Sequence, residues 1–440
     1  MQNSGKRAST ALFAFMIVVL LAGAVVPMFR NNLDNPAQQV QPTVAPTATF
    51  PAPPALSTIT FDQLYLQPSG IFAVGQPTGW EPSAPVNEPD RAAITMVNNT
   101  SLSVIEATVD QPATPAANAD ELSARFDETY LSASWSRYGA WDETARRVEG
   151  DRLVLDFNLT LNRQQYIARQ ISWTDGDWIY STRAVAPANA NQMVVHLVNG
   201  LADSLVPFKQ FAGTPFDWSA HYDSLSSHII RYPSNWRVDD SASGGPTSIV
   251  GPNGEALRLE WTPGVSVASE ADAEAWLTQR QPNATVLSVA PAARGDVSGF
   301  SVAYSYRSAD GDPLSGQAVL LNDTNGGLHA ANLRFAAGNV DLNALAAPAE
   351  ADAEATAEAP VIASGESTLA QVMSTFSLLP VTLDLGSAEA TPTPLPTAAT
   401  TVEAEADVTE AAEADAVATE DADAEDEAET EPTAEATDAS

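Results

Sequence analysis

The chain contains no cysteine in its 440 residues. That excludes disulfides, thiolate metal sites, a cysteine nucleophile and a lipid-modified N-terminal cysteine, but does not choose a compartment. Positive charge is scarce as well. Lys and Arg total 20 against 56 Asp and Glu, for a formal net charge of −36, and Lys6 and Lys209 are the only lysines. So acidic a chain, with no basic stripe, repels phosphate backbones, which argues against nucleic acid as a partner. No HExxH, GxSxG or GxxxxGK[ST] occurs. Metalloprotease, hydrolase-elbow and phosphate-cradling signatures are therefore missing. Ser-Lys chemistry has only Lys209 to draw on. No cofactor is implied, and the sequence reads as non-enzymatic.

What is present begins with a targeting signal. Residues 1–10 are polar and carry Lys6 and Arg7, followed by the uncharged apolar run ALFAFMIVVLLAGAVVPMF, 11–29. Positive charge ahead of such a run places the N-terminus inside and the rest of the chain outside the cytoplasm. A run of 19 residues is just long enough to span a bilayer, which favours a single-pass membrane anchor. A signal cleaved after Ala24 in Ala22-Gly23-Ala24 is the alternative, and would make the protein secreted. Residues 30–57 are Pro/Thr-rich and read as a polyproline-type stalk. At the other end, 387–440 holds 17 acids and no base. With so little hydrophobicity it is expected to be a disordered acidic tail.

Between stalk and tail one pattern occurs twice. In HIIRYPSNWRV, 228–238, an alternating run is stopped by Pro233 and followed by Trp236; in IFAVGQPTGW, 71–80, Pro77 is followed by Trp80. Proline ends a strand because it cannot donate to the ladder, and the tryptophan then serves as a large apolar plug. Similar elements follow each opening. In the first copy, 58–210, strands at 92–97 and 102–109 precede a helix over 119–135 with Leu122, Phe126, Tyr130 and Leu131 on one face. RLVLDFNLTLN, 152–162, alternates Leu153, Leu155, Phe157, Leu159 and Leu161 against polar residues, as a strand does. Asp175-Gly176 marks a hairpin, and a helix carrying Val194, Leu197, Val198, Leu201 and Leu205 closes the copy. The second copy, 219–380, repeats this with two strands around Asn253-Gly254, a helix near 269–280, hairpin turns at Asp310-Gly311 and Asn325-Gly326, and a closing helix with Leu369, Val372, Met373 and Phe376 inward. A low-complexity acidic insert, 346–360, precedes that last helix and reads as a disordered loop. The fold class expected is α+β: two tandem domains, each an antiparallel sheet flanked by helices.

The order strand, Pro-x-x-Trp, hairpin, helix, meander, closing helix resembles the PsbP-like (Mog-type) superfamily. YPSNW (232–236), VGQPTGW (74–80) and VMSTFSLLP (372–380) carry the resemblance. Two departures stand out: Gly75-Gln76 replaces the usual aromatic before Pro77, and the acidic insert interrupts the second copy. The resemblance implies an interaction module rather than an enzyme. Relatives include an extrinsic photosystem subunit, a binder of the GTPase Ran and bacterial envelope lipoproteins. They share no catalytic residues that transfer here.

Candidate sites are few. Trp135, Arg137, Tyr138 and Trp141 in WSRYGAW are spaced to form a flat platform for a sugar ring or a proline-rich strand; the competing reading packs both tryptophans under the sheet. His221, His228 and Asp223 share no helix or strand spacing, which argues against a shared ion. His196 reads as a partly buried helix residue. Asn322–Gly327 lacks the downstream glutamate of a calcium loop and reads as a hairpin turn. Asp310-Gly311-Asp312 reads the same way. Asn98, Asn99, Asn158, Asn283 and Asn322 fit a glycosylation sequon. The function expected is that of a membrane-tethered extracytoplasmic binding or scaffolding protein with a protein or glycan partner. A cell-envelope carboxylate-based hydrolase and a glycan-binding protein are the alternatives.

Overall fold

A computed structural model describes residues 50–241, 244–346 and 364–379. The expected N-region 1–10, anchor 11–29, stalk residues 30–49, insert residues 347–360 and tail 387–440 lie outside the described residues. Among the described residues no helix is long and apolar enough to cross a membrane. Residues at the end of the expected stalk lie against the first half. Phe50 meets Tyr166 edge-on at 5.4 Å, and Asn189 Nδ2 donates to Pro51 O at 3.2 Å.

The first half runs β1 (Gln63–Leu66), β2 (Phe72–Gln76), β3 (Glu81–Glu88), β4 (Arg91–Asn98) and β5 (Ser103–Asp110), then helices α1 (Ala119–Arg125) and α2 (Glu128–Ser134). It continues through β6 (Ala140–Glu149), β7 (Arg152–Leu161), β8 (Gln164–Thr174), β9 (Ile179–Pro187), α3 (Asn191–Ser204) and β10 (Val206–Pro207). The second half runs β11 (Ser219–Tyr222), β12 (His228–Tyr232), β13 (Arg237–Asp240), β14 (Thr247–Val250), β15 (Ala256–Pro263) and α4 (Glu270–Arg280). Then come β16 (Thr285–Arg294), β17 (Val297–Arg307), β18 (Pro313–Asn322), β19 (Gly327–Phe335), α5 (Leu342–Ala346), α6 (Ser364–Ser374) and β20 (Ser377–Leu378).

Each half holds a seven-stranded antiparallel sheet, ordered β3-β4-β5-β9-β8-β7-β6 in the first and β13-β14-β15-β19-β18-β17-β16 in the second. In both, the last long strand inserts at the centre. Each half also holds a three-stranded sheet, β1-β2-β10 or β11-β12-β20. Both faces of the large sheets are covered. In the first half Ile94, Ile105, Val154 and Tyr180 pack under Val194, Leu197 and Leu201 of α3. The opposite face, Leu153, Leu155, Phe157 and Leu159, meets Leu122 and Leu131 of α1 and α2. The second half repeats this, with Leu257, Leu259, Val319 and Leu333 under Val372 and Met373 of α6, and Val302, Tyr304 and Leu320 under Trp276 and Leu277 of α4.

The helix expected over 119–135 is two. It breaks at Phe126-Asp127 because the Asp127 carboxylate accepts the Tyr130 N–H at 2.8 Å and caps a new helix. β1, β3, β6, β10, β11, β13, β16 and β20 are additional to the expected strands, as is α5.

The halves share apolar core. Ile229 and Leu379 belong to the same buried cluster as Phe208, Phe211 and Phe216. Gly70, at φ +72°, lies so close to Ala220 that a Cβ there would come within 2.7 Å of the alanine Cβ. Arg231, fully buried, crosses the junction: its Nε donates to Ser69 O at 2.5 Å, Nη2 to Pro215 O at 2.5 Å, and Nη1 to Thr214 Oγ1. Burial, only partly offset by Asp217, pushes the guanidinium pKa down to about 9.

Candidate functional site

The Pro-x-x-Trp motif is built the same way in each half. Pro77 and Pro233 follow the central strands β2 and β12, and Trp80 and Trp236 immediately precede β3 and β13. Trp80 N donates to Pro77 O at 3.0 Å and Trp236 N to Pro233 O at 2.9 Å, closing one tight turn in each copy. Both rings are buried, and Trp236 lies so close to Gly251 that a Cβ there would meet the indole at 2.8 Å. The two tryptophans are buried plugs, each set by the turn at its proline.

Of the expected platform, Trp135 and Tyr138 belong to the core cluster under the first sheet. Trp135 is 1% exposed, packs on Phe157 at 5.0 Å between ring centroids and carries the Arg183 guanidinium over its other face at 5.2 Å. Arg137 is exposed and Trp141 half-buried, so the four do not make one open face. Beside them Glu106 bridges to Arg183 at 3.0 Å and Arg91 at 3.9 Å. Burial opposes its charge, yet Arg183, Arg91 and Arg137 together hold its pKa below the ordinary carboxylate range. Asp110 lies farther along β5, 3.7 Å from Arg91 Nε, in a cleft of about 250 Å³ that Arg125, Phe126 and Tyr130 also line. Burial outweighs Arg91 there, and its pKa is pushed up to about 6.

A larger cleft of about 820 Å³ lies where the halves meet. Val206, Phe208 and Phe211 form the first half's wall, while Leu225, Leu378 and Leu379 belong to the second half. Leu225 is 65% exposed, the most exposed large apolar side chain among the described residues. The polar lining includes Ser226, Arg294, Asp296, Asp323 and His329, with Trp261 beside them.

Three of the four histidines converge behind this lining. The His228 ring lies 5.8 Å from His329 and 6.5 Å from His221, centroid to centroid. His329 stacks on Trp261 at 6.2 Å. Each inner ring is anchored at one nitrogen: His228 Nδ1 contacts Ser226 Oγ at 2.7 Å, and His329 Nε2 contacts Asp323 Oδ2 at 3.0 Å. The opposite nitrogens, His228 Nε2 and His329 Nδ1, are buried with no hydrogen-bond partner, as are His221 Nε2 and Trp261 Nε1. Burial is the main force on all three imidazoles and lowers their pKa values, against the pull of the neighbouring aspartates. Ionised, Asp323 can only accept, so the neutral His329 donates from Nε2 and keeps a lone pair on Nδ1. Among the described residues no group of three His, Cys, Asp or Glu is arranged to hold a metal ion.

The sequence reading did not foresee this cluster. His221 and His228 lie on paired strands but His329 comes from a third strand a hundred residues on, so no spacing rule links them. Asn322–Gly327 is the hairpin turn that was expected. Asp323 Oδ1 is occupied by the N–H groups of Asn325 and Gly327 at 2.7 and 2.8 Å, and Asn322 ties to Val267 at 2.9 and 2.8 Å. His196 is half-buried on α3, with Nε2 3.0 Å from Ile59 O.

No family model matches the chain, and no curated protein matches it. Among solved structures it is similar to cyanobacterial PsbP (CyanoP) from Synechocystis sp. PCC 6803, at 14% identity over 33% of this chain and 92% of that one, with a TM-score of 0.25. It is also similar to the T6SS immunity protein TplEi of Pseudomonas aeruginosa, at 10% identity over 68% of this chain and 97% of that one, TM-score 0.20. A third likeness is to a chain of the Tle4-Tli4 complex, at 11% identity, 68% and 98% coverage and a TM-score of 0.20. At these TM-scores none of the three bears on what this chain does.

Proposed function

We propose that this protein is an extracytoplasmic, membrane-tethered binding or scaffolding protein made of two tandem PsbP-like copies, and that its partner, a protein or a glycan, seats in the cleft at their junction. The observation that carries this reading is the cleft: about 820 Å³, with apolar side chains from both halves, Val206, Phe208 and Phe211 on one and Leu225, Leu378 and Leu379 on the other, and polar groups that include Arg294, Asp323 and His329. Concave apolar sites with a few fixed polar groups at the junction of two packed units are where ligands seat. Arg231 and the shared core around Ile229 and Leu379 fix the two walls relative to each other, which limits the ordering cost on binding. The tether rests on Lys6 and Arg7 ahead of the apolar run 11–29, and the paired-copy reading rests on the matching Pro-x-x-Trp turns and strand orders.

The test is a photo-crosslinking residue introduced at Leu225 on the cleft rim, with Val148 on the outer strand β6 as control, in the full chain on intact cells. A discrete adduct from the Leu225 position alone is expected. Equal adducts from both positions, or none from Leu225, would refute the cleft as the binding site. Protease treatment of the same cells, with N-terminal sequencing of the purified chain, checks the tether; an N-terminus beginning after Ala24 would replace anchoring with secretion.

The carboxylate-hydrolase reading has one observation in its favour. Asp110, pushed up to about 6, sits in a cleft while Glu106 on the same strand is held down, and such divergence is how acid and base roles are divided. Hydrolysis of a glycan panel that is lost in Asp110→Asn would support it over binding.

A further inference from the structure

We propose that the His221–His228–His329 cluster makes the second-half wall of the junction cleft acid-sensitive, so that protonating the cluster separates β20 from β12 and opens the cleft. This deepens the binding reading and rests on it for its purpose, though the structural change it describes does not.

The geometry carries the inference. His228 sits on β12 directly opposite Leu378 of β20, and Ile229 opposite Ser377; these two residue pairs are the whole of the β12–β20 pairing. Leu379 N then donates to Ser227 O at 2.8 Å. The His228 ring also packs on Phe376 at 5.9 Å. Ser374 and 377–379 on one side and 225–227 on the other, which this contact holds together, line the cleft. A proton added to His329 Nδ1 creates a buried N–H with no acceptor, because Nε2 already serves Asp323. A second proton, on His228, places two cations about 6 Å apart where little water reaches to screen them. Neither charge can be relieved by a rotamer change alone, since both rings are 1% exposed. Parting β12 from the short β20 lets water reach both rings and breaks fewer backbone bonds than disturbing the long central strand β19.

The charged groups around the cluster do not cancel this. From the β11–β12 loop Asp223 faces His228, but its carboxylate already accepts the N–H groups of Leu225, Ser226 and Gly244 at 2.8, 3.3 and 3.0 Å. β11 brings His221 and Tyr222, and the β18–β19 hairpin brings Asp323, engaged as described. Arg294 and Asp296 from the β16–β17 hairpin stand at the cleft. The end of α6 and β20 present only Ser374, Thr375 and Ser377, and β15 presents Trp261. From the first half, Gln210 lines the cleft; Lys209 is held by Asp175 at 2.9 Å and lies over Trp178 at 4.3 Å. Burial already holds the three imidazoles below their ordinary range, as expected of rings whose protonated form has nowhere to go.

Hydrogen exchange of the full chain at pH 7.5 and pH 5.0, corrected for the intrinsic exchange rate, tests this. Protection in 225–232 and 374–379 should fall at least tenfold at pH 5.0 and lie well below that of β17 at both pH values, because the junction opens without unfolding the sheet. Unchanged protection at the junction, or protection there equal to that of β17 at pH 5.0, would overturn the proposal. Selective ¹⁵N-histidine labelling gives a second readout, because the chain has only four histidines. The three cluster rings should titrate together with the junction opening; independent midpoints near the ordinary value, with no opening, would equally overturn it. His228→Gln and His329→Gln should abolish the acid-induced loss of protection. None of these measurements needs the cleft's partner, so failure to find one leaves their outcome intact.

Discussion

Acidification from pH 7.5 to 5.0 should cost the folded chain stability, about 2 kcal/mol of it through His228 alone. A histidine whose folded pKa lies below its unfolded value binds fewer protons native than unfolded, so its contribution is lost as pH falls through the unfolded value near 6.5. An imidazole that stays neutral in the fold loses about 2 kcal/mol by pH 5 on that basis. His228, 1% exposed and pushed down to about 3, accounts for about 2 kcal/mol, and His329 and His221, which burial also holds below their ordinary range, add to the loss in the same direction. Asp110 works in the opposite direction. Its folded pKa of about 6 lies above the unfolded value, so the native state gains a proton first and is stabilised as pH falls. That gain reaches at most about 1.4 kcal/mol at pH 5, and less because the side chain is 25% exposed. The carboxylates held low, among them Glu106, Asp223 and Asp323, keep their contribution until pH falls below about 4.5, outside the window. Urea titration of the full chain at both pH values, followed by tryptophan fluorescence, measures the difference. A stability unchanged or higher at pH 5.0 would refute the buried-neutral assignment of the histidines. His228→Gln should remove about 2 kcal/mol of the pH-dependent loss.

Trp80→Ala and Trp236→Ala should each cost about 3–5 kcal/mol in urea titrations of the full chain, as large buried aromatics do; a loss under about 1 kcal/mol at either would mean a surface role instead. Arg231→Ala leaves the carbonyls of Ser69 and Pro215 without their charged donor and should cost about 3–5 kcal/mol, whereas Arg231→Met, which also removes the burden of a buried charge, should cost less. Gly299→Ala forces a Cβ to within 1.8 Å of the Leu320 carbonyl oxygen in the paired strand, and should lower the melting temperature sharply or prevent folding of the second half.

Period and turn chemistry made most of the long elements legible. The alternation of β7, the Asp175-Gly176 and Asn325-Gly326 hairpins and the inward face of α6 follow from residues within ten positions of one another. β3 escaped because Pro82 and Pro85 demote a run, and an outer strand is where such a run is tolerated. The break between α1 and α2 had a signal in Asp127, an N-cap residue inside an otherwise helical stretch. The shared core had none. Ile229 reads as an inward residue of its own half, and only the approach of the Gly70 turn reveals that it packs against the other. Burial also decided Trp135 and Tyr138, whose spacing suits a platform as well as a core.

How a partner would be recognised follows from the outer strands. All four edges of the large sheets carry a register shift: between Pro82 and Ala84 in β3, Glu143 and Ala145 in β6, Val238 and Asp240 in β13, and Val286 and Ser288 in β16. A bulge twists an edge and breaks the even row of N–H and C=O groups that an added strand must match. β3 and β16 carry prolines as well, so strand addition is opposed at both ends of each large sheet. Each half thereby protects itself from pairing with a stray strand, and its apolar surface is spent on the other half around Arg231. The concave surface that both halves share is the junction cleft, whose second-half wall hangs on the two-residue pairing of β12 with β20. On the proposed binding reading, recognition there draws on side chains from both halves at once. Separating the copies should therefore abolish binding even where each half retains its own sheet.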